Sequence, residues 1–377
     1  LELARRPLIE AVRNEDLDAV RSLLRSRVDV GARMKSKHHE FSLEHVAASL
    51  GVSVPAGTVE ESHPAALISD DLGIRLHAQG TSTNRTIAAD MLKTLLEARA
   101  SLNTVDSDGS TPVFYAAMAG NVTCLEYILE EGGPKLFAKR DNLKRTALYW
   151  ATSNDQYAVV EWLVSRVGSE FDIDAQSKHG RTALAKAAWS DLPEVASVLI
   201  KYRADPLVKD DHGRNVLHMA SWGQFGGRRG SKFVSGRVAG ASPRCVEMLL
   251  KLPEGVECLS VPDRDDATPM HIAASTGALD VLQIMLSTEA GKNCVRNPPE
   301  GARDFVPLAG SAFRGHVDCL MMLLEASADA RRRSNLGRSA LDFAVAGRQV
   351  DTAKALIEHI ASGRPRDDQV TTDIFAS

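Results

Sequence analysis

TPMHIAASTGALDVLQIML, residues 268–286, is the stretch that decides how the chain folds. Thr268-Pro269 suits a turn leading into the first turn of a helix. A short apolar helical segment follows, from Met270 to Ala274, and Gly277 ends it where a positive φ costs little. The second segment sets Leu279, Leu282, Met285 and Leu286 on one helical face. Helices this short cannot bury their apolar faces alone, so the unit needs neighbours.

The neighbours are present in the same chain. Positions equivalent to Thr268 recur at 111, 146, 182, 215, 306 and 339, giving successive gaps of 35, 36, 33, 53, 38 and 33 residues. A second register mark is the apolar pair that closes each outer helix. It runs Leu23-Leu24, Leu95-Leu96, Ile128-Leu129, Leu163-Val164, Leu199-Ile200, Leu249-Leu250, Met285-Leu286, Leu323-Leu324 and Leu356-Ile357, which supports nine repeats. The period and the TPMHIAA opening resemble the ankyrin repeat, whose signature is T-P-L-H-x-A in a period of about 33 residues. The resemblance implies an all-α fold: a solenoid of stacked helix-turn-helix units with projecting hairpin loops and a concave face built from loop tips and inner helices.

The array is expected to occupy 1–362 as a single domain, with a polar, aperiodic and flexible tail at 363–377. The first repeat carries more charge than the others, as suits an end repeat with one face in water. Two insertions interrupt the period, near 52–86 and 224–241. The first splits repeat two, whose opening FSLEHVAASLG (41–51) reads as a degraded first helix with Glu44 or His45 in columns that normally face inward. Its second helix is expected from Ala88. That split repeat is the expected weak joint.

The bulk numbers fit this reading. Hydrophobic residues make up 44% of the chain and charged residues 25%, ordinary for a folded globular chain. A net charge of -4 offers no case for a dedicated nucleic-acid binder. Five cysteines do not form a disulfide framework. Cys124, Cys245 and Cys319 share one outer-helix column and read as buried structural thiols, while Cys258 and Cys294 fall between repeats. These thiols imply a reducing compartment, and the expected location is intracellular, the cytoplasm first, with an organelle or the nucleus as alternatives. No run of 18 apolar residues indicates a membrane span.

No catalytic constellation emerges, and the chain reads as a non-enzyme without cofactor or metal. GGRRGSK (226–232) superficially resembles a phosphate-binding loop but lacks its residue order and a preceding strand. It reads instead as a basic insertion with Arg228, Arg229, Lys232 and Arg237. A solvated loop is its plain reading; contact with an acidic protein, phospholipid head groups or RNA phosphates is the functional one. Arg331, Arg332 and Arg333 form a second basic run. His38, His39 and His45 lack the spacing of a zinc site. His218 and His271 occupy the family's structural histidine column.

What the resemblance implies about function is a protein-interaction surface. The family's contact positions map here onto the pair after the small residues, which includes Met118, Trp189, Trp222, Phe313 and Arg314, and onto loop-tip residues such as His179, Arg181, His212 and Arg214. Trp189 and Trp222 fill one column in consecutive repeats and are the expected anchors; the alternative is that both pack beneath the second insertion. The expected partner is another protein. A regulatory module of a larger enzyme or channel is the first rival reading. The second is a structural subunit of a large assembly, with or without RNA, that uses the insertions.

Overall fold

The computed structural model describes residues 7–8, 10–12, 14–25, 33–35, 40–49, 82–167, 172–222, 242–297, 307–334 and 337–362. Most of the first insertion, the second insertion with Arg228, Arg229, Lys232 and Arg237, and the 363–377 tail lie outside the described residues. The chain divides into two compact units, Leu1–Ala183 with Ser197–Ala204, and Leu184–Ala196 with Asp205–Ser377.

In the first unit the elements run α1 (Leu17–Arg25), β1 (Arg33–Lys35), β2 (Glu40–Ser42), α2 (Leu43–Ser49), α3 (Ser82–Glu97), α4 (Pro112–Ala119), α5 (Val122–Gly132), α6 (Ala147–Ser153) and α7 (Tyr157–Arg166). They form two helical layers. The inner layer stacks α2 on α4 on α6, and the outer one stacks α1, α3, α5 and α7 in that order. The strands β1 and β2 pair antiparallel with Met34 opposite Phe41, one projecting hairpin on an otherwise helical scaffold. Helix α3 starts at Ser82, six residues before the expected Ala88, so the first insertion ends earlier than its sequence suggests.

Chain order then gives α8 (Ala183–Trp189), α9 (Pro193–Lys201), α10 (Val216–Trp222), α11 (Pro243–Leu249), α12 (Pro253–Cys258), α13 (Pro269–Thr276), α14 (Leu279–Ser287), α15 (Glu289–Arg296), α16 (Pro307–Arg314), α17 (Val317–Glu325), α18 (Ala340–Ala346) and α19 (Val350–Ala361). In the second unit α10, α13, α16 and α18 make the inner stack, and α11, α14, α17 and α19 the outer one. Helices α12 and α15 are additional. Each follows an outer helix and packs back on it through a glycine. A Cβ on Gly255 or Gly291 would collide with the carbonyl of Leu249 or Met285 respectively.

Repeat two is not degraded. His45 is fully buried, its Nδ1 accepting from the Ser42 amide at 3.2 Å and meeting that hydroxyl at 2.6 Å. Its Nε2 faces the Ser110 carbonyl at 2.9 Å. His271 binds Thr268 in the same way, with Nδ1 at 3.1 Å from the amide and 2.6 Å from the hydroxyl. SLEHVAA (42–48) is therefore the counterpart of TPMHIAA; the inward Glu44 accepts the Ser101 amide on Oε1 at 3.1 Å, while its Oε2 is buried without a hydrogen-bond partner among the described residues.

One backbone requirement recurs between inner and outer helices. The residue nine after the threonine column is left-handed whether or not it is glycine: Gly120 (φ 73°), Asp155 (53°), Asp191 (53°), Gly277 (76°), Gly315 (83°) and Arg348 (57°). The turn geometry overrides residue preference here. Each non-glycine member costs on the order of 1 kcal/mol, offset by packing.

Candidate functional site

Among the described residues, six loop tips share one construction. The first residue of each donates its amide to the carbonyl four residues on, at Asp106–Ser110, Asp141–Arg145, Ser177–Arg181, Asp210–Arg214, Asp263–Ala267 and Ser334–Arg338. The fourth residue of each turn has positive φ. At four tips the leading residue is aspartate, and its Oδ1 accepts amides two and four residues ahead. For Asp210 these come from His212 at 2.8 Å and Arg214 at 3.0 Å. Adjacent tips are laddered: the Asn142 amide donates to Asp108 (2.8 Å), Lys178 to Leu143 (2.7 Å) and Arg264 to His212 (2.8 Å).

From two of these tips an arginine reaches back over a tryptophan. In the second unit Arg214 gives Nε to Asp210 Oδ2 at 3.0 Å and closes the fork with Nη2 at 2.9 Å. Its guanidinium carbon stands 4.7 Å from the Trp222 ring centre. The Trp222 ring lies 6.2 Å from that of Trp189, tilted by 44°. Burial alone would raise the Asp210 pKa, but the Arg214 side chain and the Arg214 and His212 amides hold it below the ordinary carboxylate value. The charge is thus satisfied within the tip, while both indoles are half-buried. In the first unit Arg145 Nε meets Asp141 Oδ2 at 2.6 Å and its guanidinium lies 4.6 Å from the Trp150 ring.

The expected contact residues divide into groups. The structure brings Trp189, Trp222 and Arg214 together. Arg214 is buried, at 6% exposure, and belongs to the internal brace of the surface. His179 and His212 are exposed at tips, and Arg181 is half-buried. Phe313, at 44% exposure, and Arg314 are open on α16. Met118 was expected in a partly exposed column, yet it is 1% exposed. Helix α4 lies between α2 and α6, and all eight of its residues are buried. The two tryptophans were legible as a column; Asp210, Asp141 and Trp150 were not singled out. The signal for them was Asp-x-x-x-Arg directly before the threonine column, at 141–145 and 210–214.

The remaining titratable groups point to scaffold. His218 lies over the next tip, Nε2 facing the Ala267 carbonyl at 2.9 Å. Burial pulls its pKa down to about 4, and that of His271 to about 3. Burial raises the thiols, Cys258 to about 12 and Cys319 to about 11, which removes them as nucleophiles. Among the described residues no cluster of three His, Cys, Asp or Glu side chains is placed to hold a metal, and no helix is long and apolar enough to cross a membrane.

Comparison with known proteins agrees with this construction. The family model described as ankyrin repeats (3 copies) matches residues 83–176, the single ankyrin repeat matches 179–211, and ankyrin repeats (many copies) matches 309–357. The chain is 26% identical over 269 residues to the E3 ubiquitin-protein ligase KEG of Arabidopsis thaliana, covering 67% of this chain and 15% of that protein. It is 26% identical over 217 residues to inversin of Mus musculus, covering 49% and 19%. Over 204 residues it is 26% identical to the poly [ADP-ribose] polymerase tankyrase of Caenorhabditis elegans, covering 51% and 9%. The chain thus spans less than a fifth of the length of these relatives. With the inner and outer stacks, the laddered tips and the buried histidine column, these matches identify the chain as a member of the ankyrin-repeat family.

Proposed function

We propose that this chain is a non-catalytic scaffold or adaptor that holds a protein partner on its inner-helix face and loop tips, in the cytoplasm. Ankyrin repeats are protein-interaction units, and the observation that carries the specific reading is the half-buried Trp189–Trp222 pair braced by Arg214 and Asp210. Tryptophans held this way lose little side-chain freedom on binding and offer a large apolar area. Exposed His212, on the same tip as Arg214, supplies a polar group in the same unit.

The test is affinity capture with mass spectrometry on the native chain and on Trp189→Ala/Trp222→Ala. The variant should keep its far-ultraviolet circular dichroism and lose the proteins captured by the native chain. An unchanged set of captured proteins defeats the reading. A second reading, a regulatory module within a larger protein, is favoured by the small share of each relative that the chain spans. A gene model that places a catalytic or channel domain beside these repeats would support it.

A further inference from the structure

The six tips are not chemically equal. Four begin with a carboxylate that grips the amide four residues on at 2.7 to 3.0 Å, as in Asp106 with Ser110, Asp141 with Arg145, Asp210 with Arg214 and Asp263 with Ala267. Ser177 and Ser334 instead offer a hydroxyl, which accepts that amide at 3.3 Å from Arg181 and 3.2 Å from Arg338. A neutral oxygen here stands where the fold elsewhere places an anion.

The surroundings of Ser334 are rich in arginine. Arg331, Arg332 and Arg333 immediately precede it and Arg338 follows, all four exposed. Arg333 Nη1 is tied to the Gly337 carbonyl at 2.7 Å, which leaves its charge at the tip. Arg332, Arg338 and Ser334 itself line one small cavity together with Asp329 and Phe343. Ser177 has no such setting: the residues just before it are Asp174, Ala175 and Gln176.

We propose that Ser334 is a phosphorylation site for a basophilic serine kinase, and that the phosphate converts this tip to the anionic form of the other four. Ser334 Oγ would form a bond to the γ-phosphorus of ATP held by the kinase as the bond to the β,γ-bridging oxygen breaks. The hydroxyl proton passes to the kinase base and ADP leaves. Phosphoserine carries a charge of about −1.5 to −2 and three strong acceptor oxygens, which suit the Arg338 amide and the Arg332 and Arg338 guanidiniums. Arg332, one of the upstream arginines that a basophilic kinase reads, would then also hold its product.

Two measurements decide the matter. The full chain is incubated with ATP, magnesium and a purified basophilic kinase, and the phosphate is mapped by tandem mass spectrometry. Phosphate on Ser334 is expected, with incorporation reduced roughly tenfold or more in a correctly folded Arg331→Ala/Arg332→Ala variant. Phosphate confined to other residues, such as Ser231 or Ser177, overturns the assignment. Separately, phosphoserine is installed at position 334 and amide hydrogen exchange is followed at Arg338. Exchange should slow by roughly tenfold, as a charge-assisted hydrogen bond of about 1.5 kcal/mol provides, and Arg332→Ala should reduce the effect. Unchanged exchange overturns the conversion of the tip.

Discussion

The two arginine–tryptophan stacks use the same parts and reach opposite ends. In both, an aspartate opens a tip, an arginine four residues later pairs with it, and the guanidinium lies over an indole at 4.6 or 4.7 Å. Trp150 follows its arginine by five residues, gives its indole N–H to Asp141 Oδ2 at 3.0 Å and is 5% exposed. Trp222 follows by eight, ends its helix half-buried, and meets Trp189. Depth along the inner helix therefore decides whether the ring joins the core or stays at the surface. The arginine's role does not change.

The largest effect that tests this contrast is truncation of the rings. Trp150→Ala should cost about 4 kcal/mol in urea unfolding, as buried tryptophans do, whereas Trp222→Ala should cost about 1–2 kcal/mol. Equal losses would make Trp222 a core residue and remove the contrast.

Next come the aspartates. Their side chains are 0% and 1% exposed in the pairs with Arg145 and Arg214, so Asp141→Asn or Asp210→Asn leaves a half-buried or a buried guanidinium, respectively, short of its counter-charge. A loss of about 3 kcal/mol is expected in each unit, and a melt within about 0.5 kcal/mol of wild type would show the pair to be dispensable.

Acid should act on the second unit by a different route. His218 and His271 have folded pKa values lowered to about 4 and about 3, below the unfolded value near 6.5. The unfolded chain then binds protons first, so their contribution is complete above about pH 6.5 and declines as pH falls toward the folded values. Between pH 7.0 and 5.5 the second unit should lose about 2 kcal/mol, read from urea midpoints. A flat midpoint over that range contradicts the neutral buried rings. The smallest effect belongs to Arg145→Lys and Arg214→Lys, at about 1 kcal/mol each, because lysine keeps the charge without the planar fork. Arg214, whose side chain is 7% exposed against 21% for Arg145, should be the more sensitive.

Much of the fold was legible because stacking forces a period on the sequence. The threonine column located the inner helices from Pro112 onward, and the apolar pairs located the outer ones. Repeat two was misjudged because Glu44 looked wrong for an inward position, and the Ser101 amide that donates to it lies 57 residues away. The additional helices α12 and α15 were missed although they share a spacing, with glycine six and cysteine nine residues after Leu249 and Met285. Of the candidate site, the tryptophan column was readable. The burial of Met118 and Arg214 was not, since it depends on the flanking helix for the first and on a tip carboxylate for the second.

The five thiols have a use that their inertness creates. All are free; Cys124, Cys245, Cys258 and Cys319 are buried and Cys294 is partly so. They sit on α5, α11, α12, α15 and α17, one to each helix. An alkylating pulse reaches the four buried sulfurs only when their own repeats open. Mass-mapped labelling would therefore time the opening of the repeats one by one in the native chain, with no probe attached.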